Sequence, residues 1–259
     1  MSPSSSRRLD GKALIVSGAS SGIGAAAARL FSAAGAKIVA VGRDSARLAA
    51  LLEDLRASGG EAVTVSGDVA GADTARRAVD AAVSTFGGLD GAFNNAGITG
   101  DMAAVEDLPP EQWDRVIATN LTGAFHAAQA QIPALTARGG GALVFTSTFV
   151  GHTVGFPGMA AYAASKAGLL GLTQVIAAEG GPRRIRANVL MPGGTDTPMG
   201  QAVAHTPEIR QHVEGLHALK RIAAPEEIAR AALFLLSDDA SFVTGTALMA
   251  DGGVSICRS

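Results

Sequence analysis

A single cysteine in 259 residues, Cys257, leaves no partner for an internal disulfide, and such usage fits a reducing compartment. Aromatic residues make up only 4% of the chain, with one tryptophan (Trp113) and one tyrosine (Tyr162), too few for a platform that stacks nucleic-acid bases. Charged residues are 17% and the net charge is −2, so no basic footprint for nucleic acid is present. No run of roughly 18 apolar residues is free of Gly, Pro or charge, which argues against a transmembrane helix. Arg7-Arg8 has the look of a twin-arginine export signal, but a strand pattern follows it rather than an apolar segment. The expectation is a cytoplasmic protein whose partner is a small molecule, with residues 1–8 a disordered tail.

What the chain has in quantity is alanine, glycine and short apolar runs; hydrophobic residues reach 47%. The runs Ala13–Val16, Lys37–Val41, Ala62–Val65, Leu89–Phe93, Ala142–Phe145 and Ile185–Leu190 are short, bounded by Gly, Asp or Asn, and read as buried strands. Between them, helical patterns fall near 22–34, 44–58, 72–86, 111–137, 161–180 and 225–236, and a last strand lies near Ala247–Ala250. Alternation of this kind predicts one α/β domain spanning 1–259. It is a Rossmann-like, doubly wound parallel sheet of about seven strands with helices on both faces. Ligands in such sheets bind beyond the carboxyl ends of the strands, where strand order reverses.

The loops after the strands hold the unusual residues. After the first strand comes Ser17-Gly-Ala-Ser-Ser-Gly-Ile-Gly24, opening a helix. Gly18, Gly22 and Gly24 permit close backbone approach, Ser20 and Ser21 add hydroxyls beside Ile23, and the helix end suits a pyrophosphate. The second strand ends at Gly42-Arg43-Asp44. An arginine there accommodates a 2′-phosphate, so Arg43 favours NADP(H) over NAD(H); Asp44 speaks for NAD(H) unless it caps the next helix. In Tyr162-Ala-Ala-Ser-Lys166, the two outer side chains share a helix face. An ammonium beside a phenol lowers the phenol pKa from about 10, making Tyr162 a general acid or base.

Taken in order, Gly18-x-x-x-Gly22-x-Gly24, Asp68-Val69, Asn94-Asn-Ala-Gly97, Asn120, the Ser147/Thr148 pair, Tyr162-x-x-x-Lys166 and Pro192-Gly193 resemble the short-chain dehydrogenase/reductase family, in its branch of about 250 residues. The resemblance runs from about Leu9 to Gly253. It implies that Asp68 and Val69 contact adenine and that Asn95, Ala96 and Gly97 line the adenosine ribose. Pro192, Gly193, Thr195 and Thr197 hold the nicotinamide side, and Asn94 ties neighbouring strands. Tyr162 exchanges the substrate proton, Lys166 binds the nicotinamide ribose, and Asn120 holds a water linking Lys166 to solvent. It also implies a homo-oligomer, tetramer or dimer.

Two positions depart from the family. Ser17 stands where a threonine is usual. Phe149 stands thirteen residues before Tyr162, where the family's catalytic serine is expected. Ser147 or Thr148 therefore takes that role through a small insertion in Gly151–Gly158, and Ser147 is preferred because it directly ends the strand. His205, His212 and His217 lack zinc spacing, so no metal is expected; the 195–220 segment reads as a substrate lid. His152 is read as a loop histidine, and Gly139–Gly141 as a helix stop. The functional expectation is an NADP(H)-dependent oxidoreductase interconverting a ketone and a secondary alcohol; the apolar loop residues Phe149, Val150, Val154, Phe156, Pro157 and Met159 suggest a pocket for a hydrophobic or acyl-chain carbonyl. NAD-dependent alcohol or sugar oxidation and a non-catalytic NADP-binding redox sensor are the alternatives.

Overall fold

The structure is a computed structural model describing residues 8–257; residues 1–7, most of the expected tail, lie outside them, and Arg8 pairs with Asp239 at 3.3 Å. Seven strands form one parallel sheet in the order β3-β2-β1-β4-β5-β6-β7. They are β1 Ala13–Ser17, β2 Lys37–Gly42, β3 Ala62–Ser66, β4 Gly91–Asn94, β5 Gly141–Thr146, β6 Ile185–Pro192 and β7 Ala247–Ala250. The helices between them are α1 Gly22–Ala33, α2 Ser45–Ala57, α3 Ala72–Phe86, α4 Pro110–Ile117, α5 Gly123–Arg138 and α6 Ala160–Gly180. Then come α7 Pro198–Val203, α8 Pro207–Leu216 and α9 Pro225–Leu236.

Successive strand residues face opposite ways, so a strand covered on both faces is apolar throughout. In β1, Leu14 and Val16 enter the layer with Phe31 of α1, Leu48 of α2 and Leu235 of α9. Ile15 enters the other, with Ala82 of α3, Leu135 of α5 and Leu169 of α6. Strand order reverses between β2 and β4, the two neighbours of β1, and the cleft opens above that point.

The expected helix over 111–137 is interrupted. A π turn at Ala118–Thr122 separates α4 from α5 and carries the buried Asn120. The extra residue shifts the helix face by roughly a third of a turn while leaving most three- and four-residue spacings intact. The 195–220 segment holds the short helices α7 and α8, capped by Thr197 and Thr206, whose hydroxyls accept from the Gly200 and Ile209 amides.

Candidate active site

The chain leaves β1 at Ser17 and turns into α1. Gly18 has φ +70°, and a Cβ there would lie 3.0 Å from Ala96 Cα and Asn95 Nδ2. A Cβ on Gly24 would collide with the Gly18 carbonyl oxygen. Only glycine lets the turn fold this tightly, and Ser21 precedes α1 without spending its side chain on a cap. The first-turn amides of α1 therefore face the cleft, a fit for the pyrophosphate of a dinucleotide. Ser17 keeps the role of the absent threonine hydroxyl: its Oγ accepts from the Asn95 and Ala96 amides at 3.0 and 3.1 Å.

One cleft of about 570 Å³ gathers nearly every expected contact. Gly18, Ser20, Ser21, Gly22, Ile23, Arg43, Asp68, Val69, Asn95, Ala96, Gly97, Ser147, Thr148, Tyr162, Lys166, Pro192, Gly193, Thr195 and Thr197 all line it. Gly24 and Asn120 do not; they pack behind the wall. Arg43 is exposed on the rim. Asp44 accepts from the Arg47 amide at 3.0 Å and caps α2, so its carboxylate has a structural use. Asn94 exchanges two hydrogen bonds with Gln131, at 2.9 and 3.0 Å, and thus ties β4 to α5 rather than strand to strand.

Asn120 sits deep in the π turn. Its Nδ2 donates to the Ile98 carbonyl and Ser165 Oγ, and its Oδ1 accepts from the Ile98 amide at 2.8 Å. One amide proton holds the loop after β4 and the other goes to α6, so the side chain has no donor left for a water.

The two candidate hydroxyls diverge as neighbours in extended chain do. Ser147 Oγ is buried and donates to the Lys166 carbonyl at 2.7 Å, fastening the end of β5 to α6. Thr148 lines the cleft beside Tyr162, and against the larger effect of burial its hydroxyl pulls the phenol pKa down. Both residues line the cleft, but the Ser147 hydroxyl is engaged by the backbone, whereas Thr148 acts on the phenol. The loop after Thr148 is tight: the Gly151 amide donates to the Val154 carbonyl at 2.7 Å, and Phe149 and Phe156 meet edge to face at 5.9 Å.

The Tyr162–Lys166 pair also differs from the expectation. Burial is the largest influence on the phenol and raises its pKa above the ordinary 10.0, with the Thr148 hydroxyl pulling partly the other way. Lys166 Nζ lies 5.9 Å from the ring centroid and donates to the Thr146 carbonyl at 2.7 Å. Burial lowers the lysine to about 8. The ammonium is spent on the backbone, so desolvation outweighs the charge effect that the four-residue spacing suggests.

The histidines scatter. His205 is exposed, His212 lines the cleft from α8, and the buried His217 lines it too. His217 and Gly194, which touch, carry no sequence motif; the motif reading stopped at Gly193.

A doubly wound sheet whose switch-point cleft joins a glycine turn to a helix-borne tyrosine and lysine defines a dinucleotide-dependent oxidoreductase. The family model described as enoyl-(acyl carrier protein) reductase matches residues 18–255. Cyclohexanol dehydrogenase of Acinetobacter sp. (strain SE19) is 37% identical over 95% of this chain and 96% of its own. The 3beta-hydroxysteroid dehydrogenase 1 of Eggerthella lenta is 39% identical over 96% and 95%. A short-chain type dehydrogenase/reductase from Mycobacterium marinum superposes with a TM-score of 0.91 at 33% identity, covering 96% of this chain and 97% of that one. The chain belongs to the short-chain dehydrogenase/reductase family. It is an oxidoreductase acting on CH–OH or C=O groups of small molecules with NAD(P).

Proposed function

We propose that the protein reduces a bulky hydrophobic ketone to a secondary alcohol with NADPH, Tyr162 serving as the acid. The observation that carries this reading is that Thr148, Tyr162 and Lys166 line the same cleft as the glycine turn. The bound dinucleotide would supply the hydride at its nicotinamide ring. Tyr162 and Thr148 would then hold the substrate oxygen between two hydroxyls, where negative charge grows as the carbonyl is reduced. A phenol whose pKa lies above 10 is protonated at neutral pH, the state a proton donor needs. Lys166 would orient the nicotinamide ribose, and Asn120 would hold the loop that faces it.

Arg43 on the rim and Asp44 spent as a cap favour the 2′-phosphate of NADP(H). The substrate end is walled by Met102, Phe149, Phe156, Met159, Met199 and Leu216, and the names of the cyclohexanol and hydroxysteroid relatives fit a ring-shaped ketone. Turnover of alicyclic, aromatic and sugar substrates with NADPH and NADH tests this. Bulky ketones with NADPH are expected to lead by about tenfold or more in kcat/KM, and Arg43→Asp is expected to erase the NADPH preference. Turnover of sugars with bulky ketones ignored would refute the substrate class, and an unchanged preference in the Arg43 variant would remove that residue from the reading.

A further inference from the structure

We propose that His217, held as the neutral Nδ1–H tautomer, is a positioning residue that latches the substrate lid to the loop facing the nicotinamide. The proposal rests on the functional reading above.

His217 follows α8, the second lid helix, and is 2% exposed. The Gly194 amide donates to its Nε2 at 2.9 Å. A backbone N–H can only donate, so Nε2 is the unprotonated nitrogen. Nδ1, 2.8 Å from the Val213 carbonyl, carries the proton and donates it there. One ring thus joins a last-turn carbonyl of the lid helix to an amide between Gly193 and Thr195. Nothing but a neutral donor–acceptor pair satisfies both ends.

The surroundings hold the ring in that plane. A Cβ on Gly194 would stand 2.9 Å from His217 Cε1 and 3.0 Å from Ile222 Cγ2, so the loop needs glycine to reach the imidazole. Gly252, after β7, approaches from the other side: a Cβ there would be 3.3 Å from Cδ2. The backbone reinforces the crossing, with the Ala223 amide donating to the Gly194 carbonyl at 2.8 Å and the Leu219 amide to the Gly252 carbonyl at 3.1 Å. The lid, the loop after β6 and the turn after β7 therefore meet at one side chain. Val213 and Leu216 line the substrate end of the cleft just before it, so lid placement and loop placement are mechanically one. This explains why a buried, polar and potentially charged residue ends a helix that has no other fully buried residue.

The test compares His217→Leu, which removes both hydrogen bonds, with His217→Gln, whose amide offers an acceptor and a donor without a charge. Hydrogen exchange of the Gly194 amide is read without dinucleotide, alongside thermal melting, NADPH dissociation constants and ketone kinetics. The expected result is loss of Gly194 protection in His217→Leu. Its ketone KM should rise about tenfold, while kcat and NADPH affinity stay within about threefold, and His217→Gln should recover most of the loss. Should His217→Leu fail to fold, Gly194→Ala, which pushes the ring away, should raise KM in the same way. Unchanged Gly194 protection, equal defects in both His217 variants, or an unaltered KM in the variant that folds would overturn the latch. Absence of ketone turnover by the unaltered protein would refute the functional reading instead, and the exchange measurement would still judge the latch.

Discussion

Lys166 is 3% exposed; its ammonium donates to the Thr146 carbonyl, and among the described residues no carboxylate pairs with it. An unfolded chain holds that proton up to about 10.5, whereas the folded protein releases it at about 8. Between those values unfolding takes up a proton, so stability should rise with pH across that window; below it, folding bears the full cost of the buried charge. Lys166→Met should therefore melt higher than the unaltered protein at pH 7, by roughly 1–3 kcal/mol, while losing turnover. The gap should narrow by pH 10, and melting curves at the two pH values check it. Tyr162 titrates the other way. With its pKa above 10.0, ketone reduction should be nearly flat from pH 6 to 9 and alcohol oxidation should climb with pH. Rate profiles in both directions would reveal it, and an oxidation rate that levels off near neutrality would contradict the raised phenol. Thr148→Val should cost far more turnover than Ser147→Ala, since the Thr148 hydroxyl acts on the phenol while that of Ser147 is engaged by the Lys166 carbonyl. The sequence left that choice open for a plain reason: neither hydroxyl falls at the expected count of thirteen back from Tyr162, and adjacent side chains in extended chain face opposite ways. The phenol's direction of shift was equally illegible, because four-residue spacing places two side chains on one face but says nothing of how much water reaches them.

At the scale of elements, the strands and the glycine turn were readable because each is a local pattern with a local cause. A strand buried on both faces must be apolar throughout, and a turn that passes within contact of Asn95 and Ala96 must lack side chains. Gly24→Ala places a methyl against the Gly18 carbonyl, so it should open the turn. NADPH affinity should fall by about tenfold or more, as isothermal calorimetry would show. The π turn escaped the sequence reading because apolar spacing continues through it. Asn120 was found by resemblance, yet its grip on Ile98 was not, since that contact joins segments 22 residues apart. The lid helices were likewise unread: each is short and begins at a proline after a threonine cap, too brief for helical periodicity to register.

Across the whole molecule, β7 lies at the sheet edge with all four residues partly exposed, and the nearby Phe242 is fully exposed. An unprotected edge beside an apolar side chain favours burial against a second copy. If the protein self-associates through this edge, Phe242→Glu should lower its mass in sedimentation at micromolar concentration, and a monomeric unaltered protein would count against the expected homo-oligomer. Among the described residues no helix is long and apolar enough to cross a membrane. What joins the scales is the cleft, where loops from both halves of the sheet bring a glycine turn, a rim arginine and the Thr148–Tyr162 pair within reach of one small ligand. The most direct test of that account is the turnover of a bulky ketone by Tyr162→Phe with NADPH affinity measured on the same preparation. The account predicts a fall in kcat of about a hundredfold or more with the NADPH dissociation constant within about threefold of the unaltered protein. Undiminished turnover would contradict it.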